Sequence, residues 1–198
     1  MRLRCKSNEN NQFKQYQMNK IKSLLRQVNT IKKKNDEILD ATGSRFNMFR
    51  ICGVNHYENT HSAIIAKFLN PKGTHGLKHK LLDCFIDNLG DKFIINGFDT
   101  TNAKVITEHH AGGDGRIDIT IEDNNSNIII IETKVYASDQ YEQLIRYTKY
   151  AKSQYHNHQI LYLTLEGSKS SEQSSKEIEY TPISFKETII DWLEKSAS

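Results

Sequence analysis

Four consecutive isoleucines, residues 128–131, run without a break into Glu132-Thr133-Lys134. A continuous apolar run of this kind suits a strand covered on both faces. The chain therefore has to deliver a carboxylate and an ammonium to the end of a buried strand. Upstream, Arg116-Ile117-Asp118-Ile119-Thr120-Ile121 alternates, with the isoleucines on one face and Arg116, Asp118 and Thr120 on the other. Asp123-Asn124-Asn125-Ser126-Asn127, between the two, is dense in turn formers. A hairpin centred near Asn124 and Asn125 sets Asp118 almost opposite Glu132, where directly opposed Cβ atoms lie about 4.5–5.5 Å apart. Glu132 and Lys134, two residues apart on a strand, share that face.

Two facing carboxylates are costly. Like charges destabilise a sheet, and a carboxylate deprived of water either loses several kcal/mol or is neutralised through a raised pKa. A divalent cation removes the conflict, because Mg²⁺ takes oxygen ligands, commonly one or two carboxylates with waters and substrate phosphate. Lys134 would then orient or deprotonate an attacking water. The competing reading is a structural salt bridge between Lys134 and one of the acids.

The flanking pattern predicts a single α/β domain behind an added N-terminal helix. Ile21, Leu24, Leu25, Val28, Ile31 and Ile38 recur at helical spacing over about residues 17–39, opposite a basic face. Residues 1–16 are polar and expected to be frayed. A helix from Asn59 or Thr60 to Leu69, with Glu58 just ahead of it, stops at Pro71-Lys72-Gly73. A second follows from about Leu77 to Leu89. Strands are expected at 104–109, 116–121, 128–134 and 159–165, with a helix from Ser138 or Asp139 to about Lys152. Tyr141, Leu144, Ile145, Thr148 and Ala151 are its inward face. Residues 168–177, rich in Ser, Lys and Glu, read as a mobile loop. Ser184 with Glu187 makes a capping box for a last helix carrying Trp192.

Charge is uneven. Residues 1–34 hold ten Lys/Arg and one acid, while the rest holds 17 Lys/Arg against 23 Asp/Glu. A basic arm on an acidic body fits attraction to a phosphate backbone, and a solvated terminus would look the same. No apolar run approaches a membrane span and no signal-peptide pattern is visible. Cys5, Cys52 and Cys84 are odd in number and without a CxxC pair, so neither a disulfide framework nor a cysteine zinc site is expected, and a reducing cytoplasm is.

The order helix, strand, strand with Asp, strand with Glu-x-Lys, helix, strand resembles the αβββαβ core of the PD-(D/E)XK nuclease superfamily, the restriction-endonuclease-like fold with a mixed central sheet. Five stretches carry the likeness: Phe46-Asn47-Met48-Phe49; Glu58-Asn59-Thr60-His61-Ser62 with Leu69-Asn70-Pro71 and His75-Gly76; Gly115-Arg116-Ile117-Asp118-Ile119; Ile131-Glu132-Thr133-Lys134; and Gln143-Leu144-Ile145-Arg146-Tyr147. It covers roughly residues 45–194, so the division expected is a basic arm and helix over 1–44 and a nuclease-like domain over 45–198.

That resemblance implies a metal-dependent deoxyribonuclease. Asp118 and Glu132 would bind Mg²⁺, with Mn²⁺ able to substitute, and the Thr133 carbonyl would be a third ligand. Glu58 matches an acid that many members supply to the metal, often through a water. Lys134 would position the attacking water and stabilise charge on the phosphate. Gln143 matches a helix residue that often contacts the lysine or the substrate backbone. Arg116, Tyr147 and His61 are candidate substrate contacts. By its position alone, Glu108 could join the cluster, but a strand-end glutamate is more often solvated. His61 could equally hydrogen-bond backbone near its helix start, and Arg116 could equally pair with Glu122 or Glu132. His109-His110 and the pair His156 and His158 are read as exposed. The implied partner is nucleic acid, DNA first, with a homodimer through the N-terminal helix as a further expectation. The rival reading is a non-catalytic nucleic-acid-binding or assembly module that works through the basic helix.

Overall fold

The computed structural model describes residues 3–42, 47–54 and 57–197, with side chains at all of these except 3–14, 16 and 114. Phe46 of the first matched stretch and the Cys5 side chain lie outside what is described. The chain divides into two compact units, Met1–Gly53 and Val54–Ser198.

The first unit holds helix α1, Leu3–Ala41, and a single turn α2, Met48–Ile51, capped by the Asn47 side chain, which accepts from the Arg50 N–H at 2.9 Å. The helix begins far earlier than the apolar repeat predicts. Nothing between Leu3 and Ala41 is glycine or proline, so once the repeat nucleates the helix, no residue stops its extension toward the N-terminus.

The second unit is a five-stranded sheet in the order β1 (Lys104–His110), β2 (Arg116–Glu122), β3 (Asn127–Lys134), β4 (Asn157–Thr164), β5 (Thr181–Ser184). The first three strands pair antiparallel and the last three parallel, which makes the sheet mixed. Helices α3 (Glu58–Leu69), α4 (Lys80–Leu89) and α7 (Ile190–Ala197) supply one core with Ile119, Ile121, Ile129 and Ile131, centred on buried Trp192 and Phe85. Helix α5 (Gln143–Gln154) supplies the other, with Ile128, Ile130, Ile160 and Tyr162. All four isoleucines of β3 are fully buried between these layers. Each such side chain contributes roughly 1.5–3 kcal/mol, which makes β3 the strand least free to move.

Asp123 locks the hairpin that joins β2 to β3. Its carboxylate accepts from the Asn125 N–H, the Asn127 N–H and the Asn127 amide at 2.8–2.9 Å, and Ser126 takes the left-handed conformation the turn needs. The resulting register pairs Ile119 with Ile131 and Glu122 with Ile128. The paired register ends at Ile119 and Ile131, and Asp118 reaches the end of β3 through its side chain, which accepts the Thr133 N–H at 2.8 Å.

Four local readings need correction. Ile117 does not stay with Ile119 and Ile121 but packs in the α5 core beside Ala111 and Tyr147. On the neighbouring β1, Glu108 sits at φ 54° in mid-strand and is left out of the register between Thr107 and His109, so the β1–β2 pairing is interrupted beside Asp118. Helix α5 starts at Gln143, not Ser138 or Asp139, because Glu142 at φ 51° interrupts the helix and Asp139 caps nothing. Tyr141 is consequently exposed instead of core-facing. Lastly, residues 168–177 are tied down. They contain a short helix, α6 (Glu172–Ser175), with Ser174 and Ser175 buried. Lys176 pairs with Glu142 at 2.7 Å, and the Glu142 N–H donates to the Gln173 carbonyl at 2.8 Å.

Candidate active site

The charged end of β3 is built from three elements. The strand carries Glu132 and Lys134 out of its apolar run on the α5 face, while Thr133 between them points to the opposite face, where its hydroxyl accepts from Ser62 of α3 at 3.0 Å. Asp118 on β2 accepts the Thr133 N–H through Oδ2 at 2.8 Å, a bond that ties its carboxylate to the backbone between the other two residues. Helix α5 presents Gln143, whose Nε2 donates to Glu132 Oε1 at 2.7 Å and contacts the Tyr147 hydroxyl at 3.0 Å.

Glu132 is 1% exposed. Lys134 Nζ stands 2.7 Å from its Oε1 with only 11% of the lysine side chain exposed. The second oxygen, Oε2, is buried and has no hydrogen-bond partner among the described residues. Burial first, and the neighbouring Asp118 charge second, push the Glu132 carboxyl up to about 8, against the pull of Lys134. Burial also raises Asp118, offset in part by the Thr133 N–H and Lys134. Lys134 experiences the opposite balance. Burial alone would lower it, but Glu132, Asp118 and Glu58 together hold it above the ordinary lysine value.

An orphaned carboxylate oxygen in a dry site is the observation that a divalent cation fits. The donors are hard oxygens on two facing strands, which suits Mg²⁺ or Mn²⁺ and not a soft metal. Among the described residues no three His, Cys, Asp or Glu side chains are arranged to hold a metal together. Such a cation would therefore rest on Asp118 and Glu132, with the rest of its shell from backbone or water.

The other sequence candidates separate clearly. Glu58 lies near enough for its charge to act on Asp118 and Lys134, and one of its oxygens is engaged by backbone. Its Oε1 accepts from three successive backbone N–H groups, Val135 at 2.6 Å, Tyr136 at 3.2 Å and Ala137 at 3.0 Å. The bend after β3 presents these donors as a concave nest, and a carboxylate at the start of α3 fills it. Tyr147, read as a substrate contact, is 1% exposed and donates its hydroxyl to the Arg116 carbonyl at 2.6 Å, so it braces Gln143 from behind. Arg116 is exposed and pairs with Glu108 at 2.8 Å, not with Glu122 or Glu132. His61 packs edge-on against Phe185 at 5.8 Å. His109, read as exposed, is half-buried instead, with Nε2 2.7 Å from the Tyr150 hydroxyl.

Sequence reasoning did not single out two supports. Ser62 lies one turn after Glu58 on the same helix face, a spacing that signals a shared target. Asp139 accepts from the Tyr162 hydroxyl and from the Ser171 N–H, both at 2.7 Å, and so links β4, the α6 segment and the loop into α5. No local pattern marks Asp139, because its partners lie 23 and 32 positions away.

A family model for the PD-(D/E)XK nuclease superfamily matches residues 46–198. The chain belongs to the PD-(D/E)XK nuclease superfamily. No curated protein and no solved structure matches it. Membership agrees with the mixed sheet and with Asp118 bonded to the backbone of Glu132-Thr133-Lys134. PD-(D/E)XK nucleases generally use divalent metal ions and act on nucleic acid. No helix among the described residues is long and apolar enough to cross a membrane.

Proposed function

We propose that this chain is a Mg²⁺-dependent nuclease that hydrolyses phosphodiester bonds in DNA, with Asp118, Glu132 and Lys134 at its centre. The reading rests most on the buried Glu132 Oε2, without a hydrogen-bond partner among the described residues, beside a lysine that pairs with the other oxygen. Asp118, Glu132 and the Thr133 carbonyl hold the cation. When bound, it polarises the scissile phosphate and lowers the pKa of water. Lys134 orients the attacking water and offsets charge on the phosphate. Gln143 keeps the Glu132 carboxylate turned toward the cation. Glu58 serves from behind, holding the chain that leaves Lys134. Arg116, exposed at the rim, meets the phosphate backbone.

The basic face of α1 supports a share in binding, because Lys20, Lys22, Arg26, Lys32, Lys33 and Lys34 are all exposed. It also supports the rival reading, a module that binds nucleic acid without cutting it. A reducing compartment such as the cytoplasm suits the free Cys52 and Cys84. A homodimer through α1 completes the proposal.

The test is incubation of the parent and Asp118→Asn with supercoiled, linear and single-stranded DNA and with RNA, in Mg²⁺, Mn²⁺ or EDTA. Cleavage of DNA that needs the cation and Asp118 is expected. Binding without cleavage in every condition selects the rival, and preferential cleavage of RNA changes the substrate.

A further inference from the structure

Helix α1 displays a stripe that its own length cannot bury. Ile21, Leu24, Val28, Ile31 and Ile38 are each at least half exposed. Their positions, with Asn35, step by three, four, three, four and three. That alternation is a 3.5-residue repeat, the period of a two-stranded supercoil and not that of a helix lying on a globular core. Ile21, Val28 and Asn35 occupy the first core position of each heptad, and Leu24, Ile31 and Ile38 the second.

We propose that α1 pairs in parallel and in register with α1 of a second copy of this chain. This deepens the homodimer reading and stands independently of the nuclease chemistry. Asn35 selects the orientation. An amide buried against apolar side chains forfeits its hydrogen bonds. In a parallel pair Asn35 meets Asn35 of the second copy, and each amide satisfies the other. In an antiparallel pair it faces Leu24. A lone asparagine at this heptad position is also the device that specifies two chains and a single register, and β-branched Ile21 and Val28 favour two chains as well.

The flanking charges agree. In a parallel pair each residue on one flank meets the residue five positions on in its neighbour. Lys20 then meets Leu25, Gln27 meets Lys32, and Lys34 meets Leu39, so no lysine opposes a lysine. The aliphatic stems of Lys20 and Lys34 cover the two leucines. Lys22, Arg26 and Lys33 fall on outward positions, so pairing brings two basic faces together without consuming either.

The decisive measurement uses the full chain with Cys5, Cys52 and Cys84 replaced by serine and carrying Ile21→Cys. Light scattering should report the mass of a dimer, and mild oxidation should cross-link it nearly completely. Antiparallel helices would hold the two introduced thiols roughly 17 residues, or about 25 Å, apart, beyond disulfide reach. Val28→Glu with Ile31→Glu should give a monomer whose circular dichroism retains the strand signal. A parent that stays monomeric at tens of micromolar overturns both this pairing and the homodimer reading. A dimer that does not cross-link, or that survives the double glutamate change, overturns the pairing alone.

Discussion

Lys134 is the residue where a structural and a catalytic role lead to different outcomes. If its only task is to neutralise Glu132, Lys134→Ala lowers stability and tightens cation binding by removing a competing charge. If it acts on water and phosphate, the same change leaves folding and Mn²⁺ affinity nearly intact while cleavage falls about 10²–10⁴-fold, the usual contribution of a positioned acid or base. The second outcome is expected. Lys134→Arg should rescue little, because a planar guanidinium neither gives up a proton nor fits the same point position. Single-turnover cleavage at saturating cation separates the two. Glu132 yields a pH prediction. Its carboxyl binds a proton up to about pH 8 when folded but only to about 4.5 when unfolded. Between those values the folded state holds more protons, so stability in EDTA falls as pH rises from about 4.5 to about 8. Asp118, also raised, acts in the same direction. A divalent cation binds the ionised pair, so adding Mg²⁺ should raise the melting temperature most near pH 8 and least near pH 5. Melting curves that shift equally at both pH values would remove Glu132 from the cation site.

At the scale of elements, the start of α3 governs the end of β3. Glu58 gathers three N–H groups from residues 135–137, and Ser62, one turn later, holds Thr133. Hydrogen bonds to a charged acceptor contribute about 1.5–3 kcal/mol each at most, and these three share one oxygen. Glu58→Ala should therefore cost roughly 1.5–3 kcal/mol in chemical denaturation and speed amide exchange at 135–137. A metal ligand would behave differently. If Glu58 held the cation directly, its alanine variant would lose Mn²⁺ affinity in calorimetry as Asp118→Ala does, and near-parental affinity is expected here. The α6 segment is a comparable brace on the other side. Lys176, Glu142 and Asp139 join it to the loop ahead of Gln143, which explains why a stretch composed like a disordered linker is ordered.

At the scale of the molecule, charge is the organising fact, with a basic arm and an acidic remainder. Deleting residues 1–16 removes four Lys/Arg but leaves the heptads of α1 intact. The log–log salt dependence of DNA affinity should then flatten by about 0.9 for each phosphate that is no longer neutralised. An unchanged slope would make that segment a bystander. Much of the remainder was legible without coordinates. The four isoleucines of β3, the turn formers after Glu122, the stop at Pro71-Lys72-Gly73 and the Ser184 cap are local signals, and each depends only on neighbours in the chain. They determine the antiparallel hairpin and the mixed α/β class. The contacts of Glu58, Tyr147, Arg116 and Asp139 were decided by tertiary structure alone. A carboxylate settles on the donors that packing brings within reach, and those donors, at Val135 for Glu58 and Ser171 for Asp139, lie 77 and 32 positions away in the chain. A buried oxygen with no partner among the described residues, at Glu132, is likewise a property of packing, since only the surrounding layers determine which polar atoms are cut off from water.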